Sequence, residues 1–144
     1  RSPSRGLGDV YKRQGFNLKE QIKDYLINKS VSIFDLGPYQ NKSVDYPDYA
    51  KKLAKRIKNK KSDIGILVCG SGTGMAISAN KIKGIRAAVC YNSMSTRLSR
   101  QHNNANIIAL GSRLTKKSLS LKLVEIFLKT KFEGGRHLRR VKKI

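Results

Sequence analysis

Acidic residues are scarce in this 144-residue chain: nine Asp and Glu stand against 31 Lys and Arg, a formal charge of +22. A surplus of that size invites a nucleic-acid role, because clustered cations track a phosphate backbone. The other features of such a role are missing. There is no zinc-finger spacing, no aromatic–basic RNA motif and no clear recognition helix. Lysines such as Lys19, Lys23, Lys51, Lys52, Lys55 and Lys58 are spread along helical stretches, where they read as solvated faces. Only Arg136, Arg139, Arg140, Lys142 and Lys143 are dense enough to make a local anion site. Nucleic acid is therefore not the expected partner.

Cysteine is scarcer still. The two residues, Cys69 and Cys90, make no metal-like cluster, and the first residues show no apolar signal-peptide core. Both absences point to a reducing cytoplasm rather than a disulfide-forming compartment. No apolar run approaches the ~18 residues that a membrane span needs, so no membrane role is expected. At this length the expectation is one domain with its own core.

Apolar periodicity supplies the elements. Leu18, Ile22, Tyr25 and Leu26 set a helix over 17–29 with Asn17 as candidate N-cap, and Val31 to Leu36 reads as a strand closed by Gly37-Pro38. Tyr49, Ala50, Leu53, Ala54 and Ile57 form a helical stripe after Pro47. Strands follow at 64–68, 85–90 and 105–110, and helices at 75–80, 93–103 and 115–130. Strands alternating with helices, without hairpin signals, predict an α/β fold whose parallel sheet is covered on both faces. Ligands in such sheets bind beyond the carboxyl ends of the strands.

Three polar clusters fall at that edge: the turn Cys69-Gly70-Ser71-Gly72-Thr73-Gly74, Tyr91-Asn92, and Gly111-Ser112-Arg113. The first is the most informative. A buried strand runs into a turn of three glycines and a helix start, where backbone N–H groups and the helix dipole favour negative charge. A thiol at that junction is a candidate base or nucleophile, although buried cysteines are usually inert packing. Two nucleotide motifs are excluded. A P-loop needs Lys-Ser/Thr after its last glycine, where Met75-Ala76 stands, and the dinucleotide fingerprint needs two intervening residues before its third glycine, where Thr73 stands alone.

Four segments taken together carry a family resemblance: Cys69-Gly70-Ser71-Gly72-Thr73-Gly74-Met75, Ala79-Asn80-Lys81-Ile82-Lys83-Gly84-Ile85-Arg86-Ala87, Arg100-Gln101-His102-Asn103-Asn104-Ala105-Asn106 and Phe132-Glu133-Gly134-Gly135-Arg136-His137. In this order and spacing the chain resembles the type B ribose-5-phosphate isomerases, a family that includes allose- and galactose-6-phosphate isomerases. The resemblance runs from about Gly15 to Ile144. It implies a Rossmann-like three-layer α/β/α sandwich with a mainly parallel sheet. It also implies a cytoplasmic homodimer or homotetramer with shared active sites, working on a small sugar phosphate in pentose phosphate and carbohydrate metabolism without metal or organic cofactor.

The resemblance also assigns roles. Cys69 resembles the base of the cysteine-using branch, while a second branch has a glutamate where Met75 stands. Ser71, with the amides of Gly70, Gly72 and Gly74, would hold the oxygen of a cis-enediolate, and Thr73 would complete the substrate loop. His102 resembles the ring-opening acid/base, and Asn103 would bind sugar hydroxyls; from the residues alone they could equally be a helix-end histidine and a C-cap. Arg113, Arg136 and Arg140 resemble the phosphate clamp, in which the C-terminal arginines reach a neighbouring subunit. Tyr46 would line the sugar pocket or serve as a packing staple. Alternatives are a hexose-phosphate isomerase and a non-catalytic phosphosugar-binding module.

The chain departs from the family at one place. Family members begin with an apolar strand ending in Ser-Asp-His-Ala-Gly, whereas Tyr11-Lys12-Arg13-Gln14 precedes Gly15-Phe16-Asn17-Leu18-Lys19 here. Residues 1–14 are read as a non-native segment lacking that strand, and 15–144 as the isomerase domain with a basic tail. Removing the segment takes away four basic residues and one acidic one and leaves +19, so it does not account for the charge.

Overall fold

A computed structural model describes residues 4–7, 12–37, 39 and 45–144, with backbone alone at 4–7 and 12–14. Among the described residues are eleven elements, strands alternating with helices until two helices close the chain: β1 Ser4–Leu7, α1 Lys12–Asn28, β2 Phe34–Asp35, α2 Tyr46–Lys58, β3 Gly65–Cys69, α3 Thr73–Asn80, β4 Ala87–Val89, α4 Ser93–Gln101, β5 Ile107–Gly111, α5 Lys117–Lys129 and α6 Arg136–Val141. The strands form one sheet in the order β2-β1-β3-β5-β4, and every pairing is parallel.

The centre of the sheet is β3 beside β5, in register from Gly65 opposite Ile107 to Cys69 opposite Gly111. All ten residues of these two strands are buried. Burial on both faces is why they read as continuous apolar runs. Alternate side chains divide between two cores. Ile66, Val68, Ile108 and Leu110 meet Leu18, Ile22 and Leu26 of α1 and Leu123, Val124 and Phe127 of α5. Leu67, Cys69, Ile107 and Ala109 meet Ala50, Leu53 and Ile57 of α2 and Met75, Ala76 and Ala79 of α3. Each fully buried aliphatic side chain contributes roughly 1.5–3 kcal/mol, so the two cores fix the layers and leave the strand ends for chemistry. This is the three-layer α/β/α sandwich that the sequence predicts.

The N-terminal segment corrects one expectation. Ser4–Leu7 does form a strand, lying between β2 and β3 and paired with Gly65–Val68. Backbone pairing needs no particular side chains, and an unfilled slot would leave the β2 and β3 ladders unpaired. Its short Ser-Arg-Gly-Leu sequence has no apolar alternation by which to recognise it. Lys12 and Arg13, at the positions where family members carry the Asp-His pair, open α1; residues 1–3, 8–11, Pro38 and 40–44 lie outside the described residues.

Two further readings change. Helix α1 starts at Lys12 rather than near Asn17, so Asn17 is an exposed residue inside the helix and caps nothing. Lys19 is not a solvated lysine: it is fully buried, with its ammonium 2.9 and 3.0 Å from the two carboxylate oxygens of Asp35. Asp35 also accepts the Gly37 N–H at 2.9 Å, so the pair ties α1 to the end of β2. Periodicity cannot reveal such a pair, because its partner lies on another element. The basic tail is likewise not featureless. Gly134 and Gly135, at φ 71° and 54°, lead into α6.

Candidate active site

Strand β3 delivers Cys69 to the carboxyl edge of the sheet, where its side chain is 6% exposed. The Gly72 N–H points back at Sγ across 3.0 Å. A thiolate accepts such a bond better than a thiol does, and the first turn of α3 adds the positive end of its dipole. The contact requires an unusual backbone, with Gly72 at φ 81° as the residue before the helix. A Cβ there would stand 3.2 Å from the Leu110 backbone carbon. Sequence reading assigns the Gly72 amide to an enediolate oxygen; in the structure it holds the sulfur.

The loop is seated on the end of β5. Ser112 N–H donates to the Cys69 carbonyl at 2.8 Å, and Arg113 N–H to the Gly70 carbonyl at 3.1 Å. Gly111 permits the approach, because a Cβ on it would lie 2.8 Å from the Ser71 carbonyl carbon and oxygen. Ser71 Oγ is exposed and accepts from the Thr73 amide at 3.3 Å. Tyr46 opens α2 with its ring over Gly74, where a Cβ would come within 2.7 Å of it, so Tyr46 does flank the loop. Met75, by contrast, is fully buried in the core below.

His102, Asn103, Arg136 and Arg140 are elsewhere. Helix α4 begins at the carboxyl edge, where Asn92 Oδ1 accepts the Ser95 N–H at 2.7 Å, and it runs back antiparallel to the sheet. Its cap is His102. Asn104, at φ 48°, then turns the chain, and Asn106 bonds to the starts of two strands: its carbonyl accepts from Gly65 at 2.8 Å and its N–H reaches Arg86 at 3.0 Å. The C-terminal segment joins this amino edge, with Glu133 N–H donating to the Gln101 carbonyl at 3.0 Å. Five residues of β3 at ~3.3 Å each separate the two edges by roughly 13–16 Å. The structure thus brings Cys69, Ser71, Gly72, Gly74, Tyr46 and Arg113 together at one end, and His102, Asn103, Arg136 and Arg140 at the other.

The amino edge holds two residues to which sequence reading gives no firm role. Glu133 and His137 lie four residues apart across the Gly134-Gly135 turn, and Glu133 Oε1 is 3.6 Å from His137 Nε2 and 3.8 Å from His102 Nε2. The two imidazoles stack with centroids 4.1 Å apart and an interplanar angle of 13°. Desolvation moves His137 below the ordinary histidine pKa, and repulsion from His102 and Arg136 adds to the shift. The signal for this cluster is the i, i+4 spacing of Glu133 and His137; His102 joins it only through the fold.

Residues 11–144 match the model of a family described as ribose/galactose isomerase. The chain is 43% identical over 130 residues to ribose-5-phosphate isomerase B of Escherichia coli, covering 90% of this chain and 87% of that protein. Among solved structures it superposes on Clostridium thermocellum ribose-5-phosphate isomerase B with a TM-score of 0.91 at 47% identity, covering 97% of this chain and 93% of that one. It also superposes on the Mycoplasma genitalium ribose-5-phosphate isomerase B with bound ribulose-5-phosphate, at TM-score 0.88 and 40% identity over 98% and 93% of the two chains.

Proposed function

The chain belongs to the ribose/galactose isomerase family and is an isomerase, and from that premise we propose that it interconverts ribose 5-phosphate and ribulose 5-phosphate with Cys69 as the base. The observation that carries the assignment is the Gly72 N–H aimed at Cys69 Sγ at 3.0 Å. A backbone donor on the sulfur stabilises the form that can remove a proton.

The open aldose has its C1 carbonyl beside C2–H. Cys69 thiolate takes the C2 proton, the electron pair moves to the C1 oxygen, and a cis-enediolate results. Ser71 and the remaining amides of the loop stabilise that oxygen, each donor being worth roughly 3 kcal/mol of barrier. A proton passes from the C2 hydroxyl to the C1 oxygen, and Cys69 returns its proton to C1 as the C2 oxygen becomes the carbonyl, which completes the ketose and restores the thiolate. His102 moves the proton that opens the ring, a task suited to an imidazole, whose two nitrogens can donate and accept protons.

Because His102, Asn103, Arg136 and Arg140 lie at the amino edge, we assign them to the Cys69 loop of a second copy, which makes the working unit a homodimer or a larger assembly. Arg113 serves its own chain's loop. Planar guanidinium groups suit a phosphate dianion, and their arrival from two chains gives each site a complete clamp. A reducing cytoplasm is the compartment in which the Cys69 thiol would persist.

Initial rates with ribose 5-phosphate, allose 6-phosphate and galactose 6-phosphate test the assignment. The pentose is expected to turn over with the highest kcat/KM. A hexose phosphate turned over faster would move the assignment to that branch, and binding of all three without turnover would favour a phosphosugar-binding module.

A further inference from the structure

We propose that His102, Glu133 and His137 form a binding site for a divalent transition-metal ion of the zinc class, and that an ion there inhibits isomerisation. The three donor atoms lie within 4.8 Å of one another. The two imidazole nitrogens approach the same carboxylate oxygen at 3.6 and 3.8 Å. Both spans exceed a hydrogen bond, whose N–H···O distance ends near ~3.2 Å, and amount to ion pairs only when an imidazole is protonated. Both are also shorter than about 4.2 Å, twice the length of a zinc bond to imidazole nitrogen or carboxylate oxygen. An ion therefore fits between the groups once the two rings close slightly on it.

The backbone presents this geometry without help from an ion. Glu133 is tied to the end of α4 through the Gln101 carbonyl, and His137 N–H bonds to Gly134 at 3.0 Å where α6 begins. All three ligands thus stand on one hydrogen-bonded junction. Stacking sets both Nε2 atoms on the side facing Glu133, and the half-exposed carboxylate leaves the open face for water. Two imidazoles and one carboxylate select zinc-class ions over magnesium or calcium, which prefer all-oxygen shells. The neighbouring Arg136 and Arg140 oppose a dication.

The inhibitory consequence rests on the reading of His102 as the ring-opening group. An ion on Nε2 occupies the lone pair through which His102 exchanges its proton. No substrate bond is made or broken by the ion.

Untagged full-length protein titrated with zinc against a chromophoric chelator tests the site apart from catalysis. One ion per chain is expected, with Kd on the order of micromolar or tighter. His137→Gln and Glu133→Gln should each weaken binding roughly tenfold or more, while Cys69→Ser leaves it unchanged. Millimolar magnesium should not compete, and thermal melts of the metal-free variants check that they fold. Binding that is lost in Cys69→Ser and kept in both other variants overturns the site, as does no uptake at ~100 µM zinc. In the kinetic arm zinc should slow the parent and spare whichever of the two variants turns over. Binding without slowing would refute inhibition alone, and a chain inactive without zinc would refute the isomerase reading while the titration still decides the site.

Discussion

The carboxyl edge of the sheet is built from backbone and the amino edge from side chains. At the first, Cys69 is buried, its sulfur is held by an amide, and its loop is fastened to β5 through the Ser112 and Arg113 N–H groups. At the second, His102 caps α4, Glu133 lies on the segment before α6, and Arg136 and Arg140 stand on that short helix, all with substantial exposure. The difference follows the chemistry assigned to each. Proton abstraction from carbon needs a fixed, partly dry base, because small misplacements are costly. Ring opening and phosphate capture need groups that exchange protons with water and reach toward an incoming substrate.

Removing the base is the sharpest way to break this contrast. Cys69→Ala should lower kcat for the pentose phosphate roughly 10²–10⁴-fold, the range for a positioned general base, with phosphosugar binding retained. Unchanged turnover would remove Cys69 from the mechanism. Joining the two edges across copies is the next largest effect. Cys69→Ala and His102→Ala proteins, each inactive alone, should on mixing and subunit exchange recover roughly a quarter of parental activity, because half of random dimers are mixed and each has one intact site of two. No recovery, in samples shown to exchange, would place both groups in a site of one chain.

Much of the carboxyl edge is legible in the sequence because it is local. The run from Ile64 to Val68, three glycines within five residues and a following helix need only neighbours along the chain to announce a loop with a thiol on it. The amino edge is not local. His102 and His137 are 35 positions apart, and their stacking depends on where α4 and the C-terminal segment end. Resemblance names the individual residues but not the edge on which they stand, which follows from strand and helix direction. The buried Lys19–Asp35 pair was hidden for the same reason, and β1 because its pairing is made by backbone.

A smaller effect tests whether the loop's rigidity comes from its seat. Gly111→Ala places a Cβ 2.8 Å from the Ser71 carbonyl, and neither the loop nor β5 can yield without moving Cys69. Stability should fall by ~1–3 kcal/mol, as for other overpacked sites. The drop in kcat should exceed the change in KM, since the base moves more than the phosphate clamp. Equal stability and full activity would mean that the loop is looser than its hydrogen bonds indicate.

The two cysteines carry the smallest prediction, and it needs no substrate. Cys69 ends β3, Cys90 directly follows β4, and both are buried, at 6% and 1% exposure. Their surroundings differ in kind. Burial raises the pKa of Cys90, and hydrogen bonds from Thr96 and Ser99 only partly oppose that shift. Its thiol therefore stays protonated and slow to react, whereas Cys69 has the Gly72 amide on its sulfur. Iodoacetamide near pH 8 should modify the peptide containing Cys69 first, with Cys90 lagging about tenfold or more until the protein is unfolded. Equal rates, or Cys90 leading, would show that the amide does not activate the sulfur, and the distinction between a chemical and a packing cysteine would then have to come from the partner copy's groups.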